Sequence, residues 1–398
     1  MSKLREYSII KFVSDFMVSV QGRNLIAGML IRTLFGYSVF DFVLLSITLQ
    51  NVFSITEIGV GALMAAYWIP AIALQFVVGR YADKIGFKKL VVAGTITVAL
   101  GSLIISQAYF FELVLIGRFI TGVGAILFWT PGVVIVSNVY PKEKLSFATS
   151  LIVLSYGVGT LTAFLTVPVQ AIILGWRSIF FLTFVYGFIV AILVQILTTD
   201  TPASFHKPAN TVKIFKNMEL FKIAVAQCLS MAAWTVFLTF FTRTLIFEKS
   251  VNANVANLTV VFASIAGIIS ALLGGYFSDK KYRKGLWIAV PLTLLSLTFL
   301  ILPFSVGFNP VSDLFLSWFI GALVWIPQGP IWALPKIVEP DYPNTAMTLL
   351  VCMTGVTVTV FPLLFGWLTD FTGSFFYSYI MIALIVLCAA LVSYRIRN

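Results

Sequence analysis

Two charged side chains stand where charge is costly. Asp41 lies in the apolar run 27–50, nine residues from Arg32 and nine from Gln50, and Arg118 lies in the apolar run 113–138. An ionised carboxylate at bilayer depth costs on the order of 2.5–3.5 kcal/mol. Two uses would justify Asp41: loading and releasing a proton, or permanent pairing with Arg118. A guanidinium can hold an anion through a two-pronged hydrogen bond. Gly122, Ala125 and Trp129 follow Arg118 on one helix face, which would give a cationic head, a space and an aromatic wall; a helix–helix tether is the alternative. Tyr37 and Thr48 share a face with Asp41, four residues before it and seven after, so the three are expected to line a wet cavity. Gln227 and Trp234, one heptad apart, and Trp325 with Gln328 could add hydrogen bonds and stacking, or could simply join helices.

The remaining chemistry is sparse. The single histidine, His206, sits in a polar connector, which excludes an embedded histidine relay. Cys228, Cys352 and Cys388 fall in apolar runs without metal-ligand spacing, so they read as packing residues. No metal or cofactor is expected, and an enzyme is disfavoured because no nucleophile–base set is visible. A sensor that keeps the architecture but moves nothing is the other non-transport reading.

These side chains must be held by a mostly lipid-solvated scaffold. Of 398 residues 60% are hydrophobic and 10% charged, against about a quarter charged in soluble proteins. Runs long enough to cross a bilayer occur at 27–50, 57–79, 89–109, 113–138, 147–172 and 176–198. They resume at 220–247, 255–278, 285–304, 312–335, 344–369 and 374–394. The expected fold is therefore an all-α membrane protein with twelve spans in two six-helix bundles, 25–198 and 219–398. Residues 199–218 form the polar linker between them. Residues 1–24 read as an amphipathic interfacial segment rather than a cleaved leader.

Lysine and arginine placement orients the chain. With the N-terminus inside, 22 of 26 fall on the cytoplasmic side, counting Arg23 and Arg32 among them. Arg177, Arg243 and Lys249 fall outside, and Arg243 is expected to snorkel to the interface. Both termini are thus expected in the cytoplasm, and the net charge of +11 is a topology signal. Nucleic acid is a poor partner for lysines scattered at helix ends. A monomer in the inner or plasma membrane is the expectation.

The sequence also repeats. An offset of 196 residues maps Gly79 onto Gly275, Asp83 onto Asp279, Trp129 onto Trp325 and Pro131 onto Pro327. Such duplication underlies two pseudo-symmetric halves that rock around a central site. Asp41 and Arg118, by contrast, map onto Phe237 and Leu314, so the charged pair belongs to one half only.

Gly79-Arg80-Tyr81-Ala82-Asp83-Lys84-Ile85-Gly86-Phe87-Lys88-Lys89 resembles the major facilitator superfamily signature between helices 2 and 3. Gly275, Asp279, Lys280, Arg283 and Lys284 resemble its weaker second copy, and Gly117–Gly124 and Gly175-Trp176-Arg177 resemble further motifs of that family. The resemblance implies alternating access, with Gly79, Asp83, Lys84, Gly86, Lys88, Gly275, Asp279 and Lys280 as a conformational latch. In it Asp83 faces the start of span 11, where a helix N-terminus favours a carboxylate, and Asp279 the start of span 5. Gly36-Tyr37-Ser38-Val39-Phe40-Asp41-Phe42 resembles the first helix of proton symporters for aromatic acids, which carry two acidic residues where this chain has Asp41. The expected function is proton-driven uptake of a small organic anion, with Asp41 carrying the proton and Arg118 the anion. Efflux by proton antiport and uncoupled facilitation are the alternatives.

Overall fold

A computed structural model describes residues 19–140, 142–199, 216–279, 284–339 and 343–396. Most of the interfacial segment and the linker lie outside these residues. So do the side chains of Gly79, Asp83, Lys84 and Asp279, all of Lys280, and the latch contacts expected of them.

Among the described residues twelve helical stretches are long and apolar enough to cross a bilayer. The first is broken: α1 (Val20–Phe40) gives way to a 3-10 turn (Val43–Leu45) and α2 (Ser46–Phe53). There follow α3 (Glu57–Ile85), α4 (Phe87–Ser106), α5 (Phe111–Ser137), α6 (Lys142–Leu174) and α7 (Trp176–Leu197). The second half runs α8 (Met218–Phe247), α9 (Ala253–Asp279), α10 (Lys284–Ser305), α11 (Pro310–Trp325), α12 (Gln328–Val338), α13 (Pro343–Thr372) and α14 (Phe375–Ser393). The tenth span is also broken, between α11 and α12 at Ile326 and Pro327. Proline removes a backbone donor, yet its repeat mate Pro131 lies inside an uninterrupted α5.

In lipid there is no hydrophobic gain from joining two helices, so close contact depends on small residues. A Cβ at Gly36 of α1 would lie 2.2 Å from the Tyr156 carbonyl oxygen of α6, and one at Gly159 would lie 2.1 Å from that of Thr33. α3 meets α13 across the two halves in the same way: a Cβ at Gly61 would sit 2.4 Å from the Pro362 oxygen, and one at Gly366 2.3 Å from the Glu57 oxygen. α6 meets α9 and the 3-10 turn meets α8 at the same seam. Large apolar side chains such as Ile172, Phe315 and Phe371 remain on the exterior, as a lipid solvent requires.

Gly86 joins α3 to α4 at φ +94°, a backbone that a side chain would strain. Lys88 donates to the Thr198 carbonyl at the end of α7 (2.8 Å). Gly275 is where α12 comes close: a Cβ on Gly329 would fall 2.6 Å from its Cα.

Candidate functional site: the embedded charges and the seam between the halves

The break in the first span explains the fate of Arg118. A helix continuing past Phe40 would offer amide donors from residues 42 and 43 to the carbonyls of Ser38 and Val39. Arg118 of α5 serves them instead, from Nη1 to Ser38 (2.7 Å) and from Nη2 to Val39 (3.0 Å). Its Nε donates to the Leu63 carbonyl of α3 (3.2 Å), and Nη1 also meets Asp41 Oδ1 at 3.0 Å. The rings of Phe42 and Tyr67 cover the guanidinium at 4.5 and 4.6 Å. Arg118 is fully buried and Asp41 is 1% exposed.

This geometry departs from the expected anion seat. Arg118 spends its donors on a tether joining the first, second and fourth spans. Asp41, paired with it and lying against Thr183 of α7, faces the interior of its own half. Tyr37 is buried nearby and donates to Gln170 Oε1 (3.3 Å). Thr48 is exposed, because the break turns α2 away from the face of α1, so the expected polar stripe does not form.

Trp129 has a different cation. Arg32, which the charge pattern assigned to the cytoplasmic side, begins 12 residues into α1, about 18 Å along it at 1.5 Å per residue. Its guanidinium lies 3.7 Å from the centre of the Trp129 ring and makes one long bond, 3.4 Å, to the Trp129 carbonyl. Among the described residues it makes no ion pair. A cation–π contact contributes about 0.5–2 kcal/mol, less than the roughly 2.5–3.5 kcal/mol that an arginine costs at bilayer depth. The remaining N–H groups therefore call for water or an anion.

In the second half, Trp234 stacks on Phe237 (6.0 Å) and meets Trp325 edge-on (5.9 Å). Among the described residues the buried Trp325 Nε1 and Gln227 Oε1 meet no partner. Gln328 is used locally, bonding the Val324 carbonyl and accepting from Trp332 Nε1 (3.2 Å).

The face opposite the termini is shut by contacts the sequence did not announce. Arg243 is 1% exposed. Rather than snorkelling, it reaches across the seam to Glu57 (Nε to Oε2, 2.8 Å; Nη2 to Oε1) and to Gln50. Asp370 near the end of α13 accepts from the amides of Glu57 (2.9 Å) and Ile58 (2.8 Å), capping α3 from the other half. The sequence signal was present but ambiguous: both acids lie at span ends, where a plain solvated residue reads the same. Of the three cysteines Cys228 and Cys352 are buried, as packing residues should be, whereas Cys388 is exposed.

A family model described as the Major Facilitator Superfamily matches residues 26–338. The chain belongs to that superfamily. It is similar to a probable sulfoacetate transporter, SauU, of Cupriavidus necator, at 23% identity over 81% of each chain. A riboflavin transporter, RibZ, of Clostridioides difficile matches at 25% over 33% of this chain and 28% of its own length. Crystal structures of a bacterial homologue of the human lysosomal transporter Spinster share the fold. The inward-facing unoccupied form aligns with TM-score 0.75 at 14% identity over 95% of each chain. The inward-facing occupied form gives 0.76 at 15%, covering 93% of this chain and 95% of that one. This major facilitator protein is thus a multi-pass membrane transporter, and its two helical halves have the construction on which alternating access depends.

Proposed function

We propose that this transporter takes up a small organic anion by alternating access, driven by a proton gradient acting through Asp41. The observation that carries the reading is the charge balance inside the first half. Asp41 is neutralised by Arg118, and a cation, Arg32, is left over. A duplicated scaffold has no packing reason to confine these charges to one side. The relative named as a probable sulfoacetate transporter supports an anionic solute.

Asp41 is enclosed when paired, so proton exchange must accompany a rearrangement of the broken first span. Protonation would remove the carboxylate's hold on Arg118 and loosen the anchored break. The adjacent 3-10 turn packs on α8 of the other half, so the event would be felt at the seam. The chain would sit as a monomer in the plasma membrane with both termini cytoplasmic.

The test is uptake into proteoliposomes under an imposed pH gradient. Asp41→Asn is expected to abolish gradient-driven accumulation while leaving counterflow exchange within about threefold of the parent. Unchanged accumulation would remove Asp41 from coupling. The same enclosure favours a second reading, an uncoupled facilitator in which the Asp41–Arg118 pair is a permanent tether. That reading expects equilibration without accumulation in the parent protein. Efflux by antiport expects the pH effect to have the opposite sign.

A further inference from the structure

We propose that Arg32, held over the Trp129 ring, is the residue that recognises the anion, and that its ligand is a small organic monoanion bearing one carboxylate or sulfonate. The inference rests on the transporter reading above but assigns a site that reading leaves open.

Three observations converge. Arg32 is more than nine-tenths buried within α1, and among the described residues its one hydrogen bond is the long one to the Trp129 carbonyl. Arg32 keeps a residual 9% exposure whereas Arg118 keeps none, so Arg32 is not sealed into packed protein as Arg118 is. With its carbon 3.7 Å from the centre of the Trp129 ring and one nitrogen on a long bond, the guanidinium keeps N–H donors to spare, and its fork matches the two oxygens of a carboxylate or sulfonate.

The second observation is the wall around it. Phe35 lies 4.4 Å from Trp129 and 5.6 Å from Tyr156, centre to centre. Tyr156 is near enough to interact electrostatically with Arg32. Trp129 and Tyr156 are both only partly buried, giving an apolar surface for the body of a ligand beside its charged head.

The third is position. Gly157, next to Tyr156, meets Ile268 of α9: a Cβ there would lie 2.9 Å from the Ile268 side chain. The cluster therefore borders the seam along which the halves move. Its repeat mate, Trp325, holds the equivalent place in the second half, where Arg32 maps onto Cys228. One cation and no compensating carboxylate set the ligand charge at minus one.

The experiment uses the purified full-length protein in detergent, with thermal unfolding followed during titration with benzoate and phenylmethanesulfonate at fixed ionic strength. Benzamide and benzyltrimethylammonium serve as neutral and cationic controls. Both anions are expected to raise the unfolding temperature and neither control to do so. Arg32→Gln is expected to lose the response. Arg32→Lys, which keeps the charge but not the fork, is expected to weaken it about tenfold or more; it also decides the matter if Arg32→Gln fails to fold.

No stabilisation of the parent by either anion, equal response to benzamide, or an undiminished response in Arg32→Lys would each overturn the assignment. A full response in a folded Arg32→Gln would place the anion elsewhere and overturn it equally. Failure of the transport reading looks different. There, Arg32-dependent binding persists while proteoliposomes show no pH-driven accumulation of either anion.

Discussion

Arg243 shows how much one side chain can decide. A buried ion pair that loses one partner leaves a stranded charge, at a cost of about 3–5 kcal/mol. Glu57→Gln should strand Arg243 only while the far face is closed, because opening wets both. The variant is expected to shift the population toward the far-open form by roughly two to four decades. Spin labels near the far ends of α3 and α13 would report this as a longer distance. The double variant Glu57→Gln with Arg243→Gln should recover part of the shift, and an unmoved distance distribution in the single variant would refute the lock. Residue type told little in advance here. Asp41 and Arg118 stood out in the sequence because charge inside an apolar run is rare. In the apolar runs 27–50 and 220–247 Arg32 and Arg243 stand toward the ends, where the same charge also fits an interfacial role, so only packing against Trp129 and Glu57 reveals them.

Helices carry the next level of control. α3 and α13 touch backbone to backbone at Gly61 and Gly366, and the obstructing atoms are carbonyls that cannot turn aside as a side chain can. Gly61→Val and Gly366→Val should therefore wedge the far face apart. The expected signs are slower counterflow and faster alkylation of a cysteine placed at Gln50, relative to parent; unchanged alkylation would show that the helices yield elsewhere. Span existence and length were legible in the sequence, since an apolar run of about twenty residues matches the thickness of a bilayer and is too long for most buried core helices. The breaks were not. Pro131 and Pro327 are repeat mates with opposite outcomes, and the interruption after Phe40 contains neither glycine nor proline. Its carbonyls are satisfied by an arginine 77 residues beyond Asp41, information that no local window holds.

At the scale of the whole molecule, charge placement and the 196-residue repeat made the two-half architecture readable, because both patterns survive summation over many residues. The orientation they imply has its own check. In intact cells a membrane-impermeant maleimide should label a cysteine introduced at Asn252 and spare one at Lys216; the reverse pattern would invert the topology. The movement of the halves also has a natural clock. α3 begins at the seam, and its first two amides belong to Asp370 of the opposite half whenever the far side is shut. A helix that borrows its cap across a sliding boundary must surrender it at each swing, and water must then take both donors. The amide protons of Glu57 and Ile58 should accordingly exchange with deuterium only as often as the far mouth yawns, a tally of turnovers kept by two backbone hydrogens.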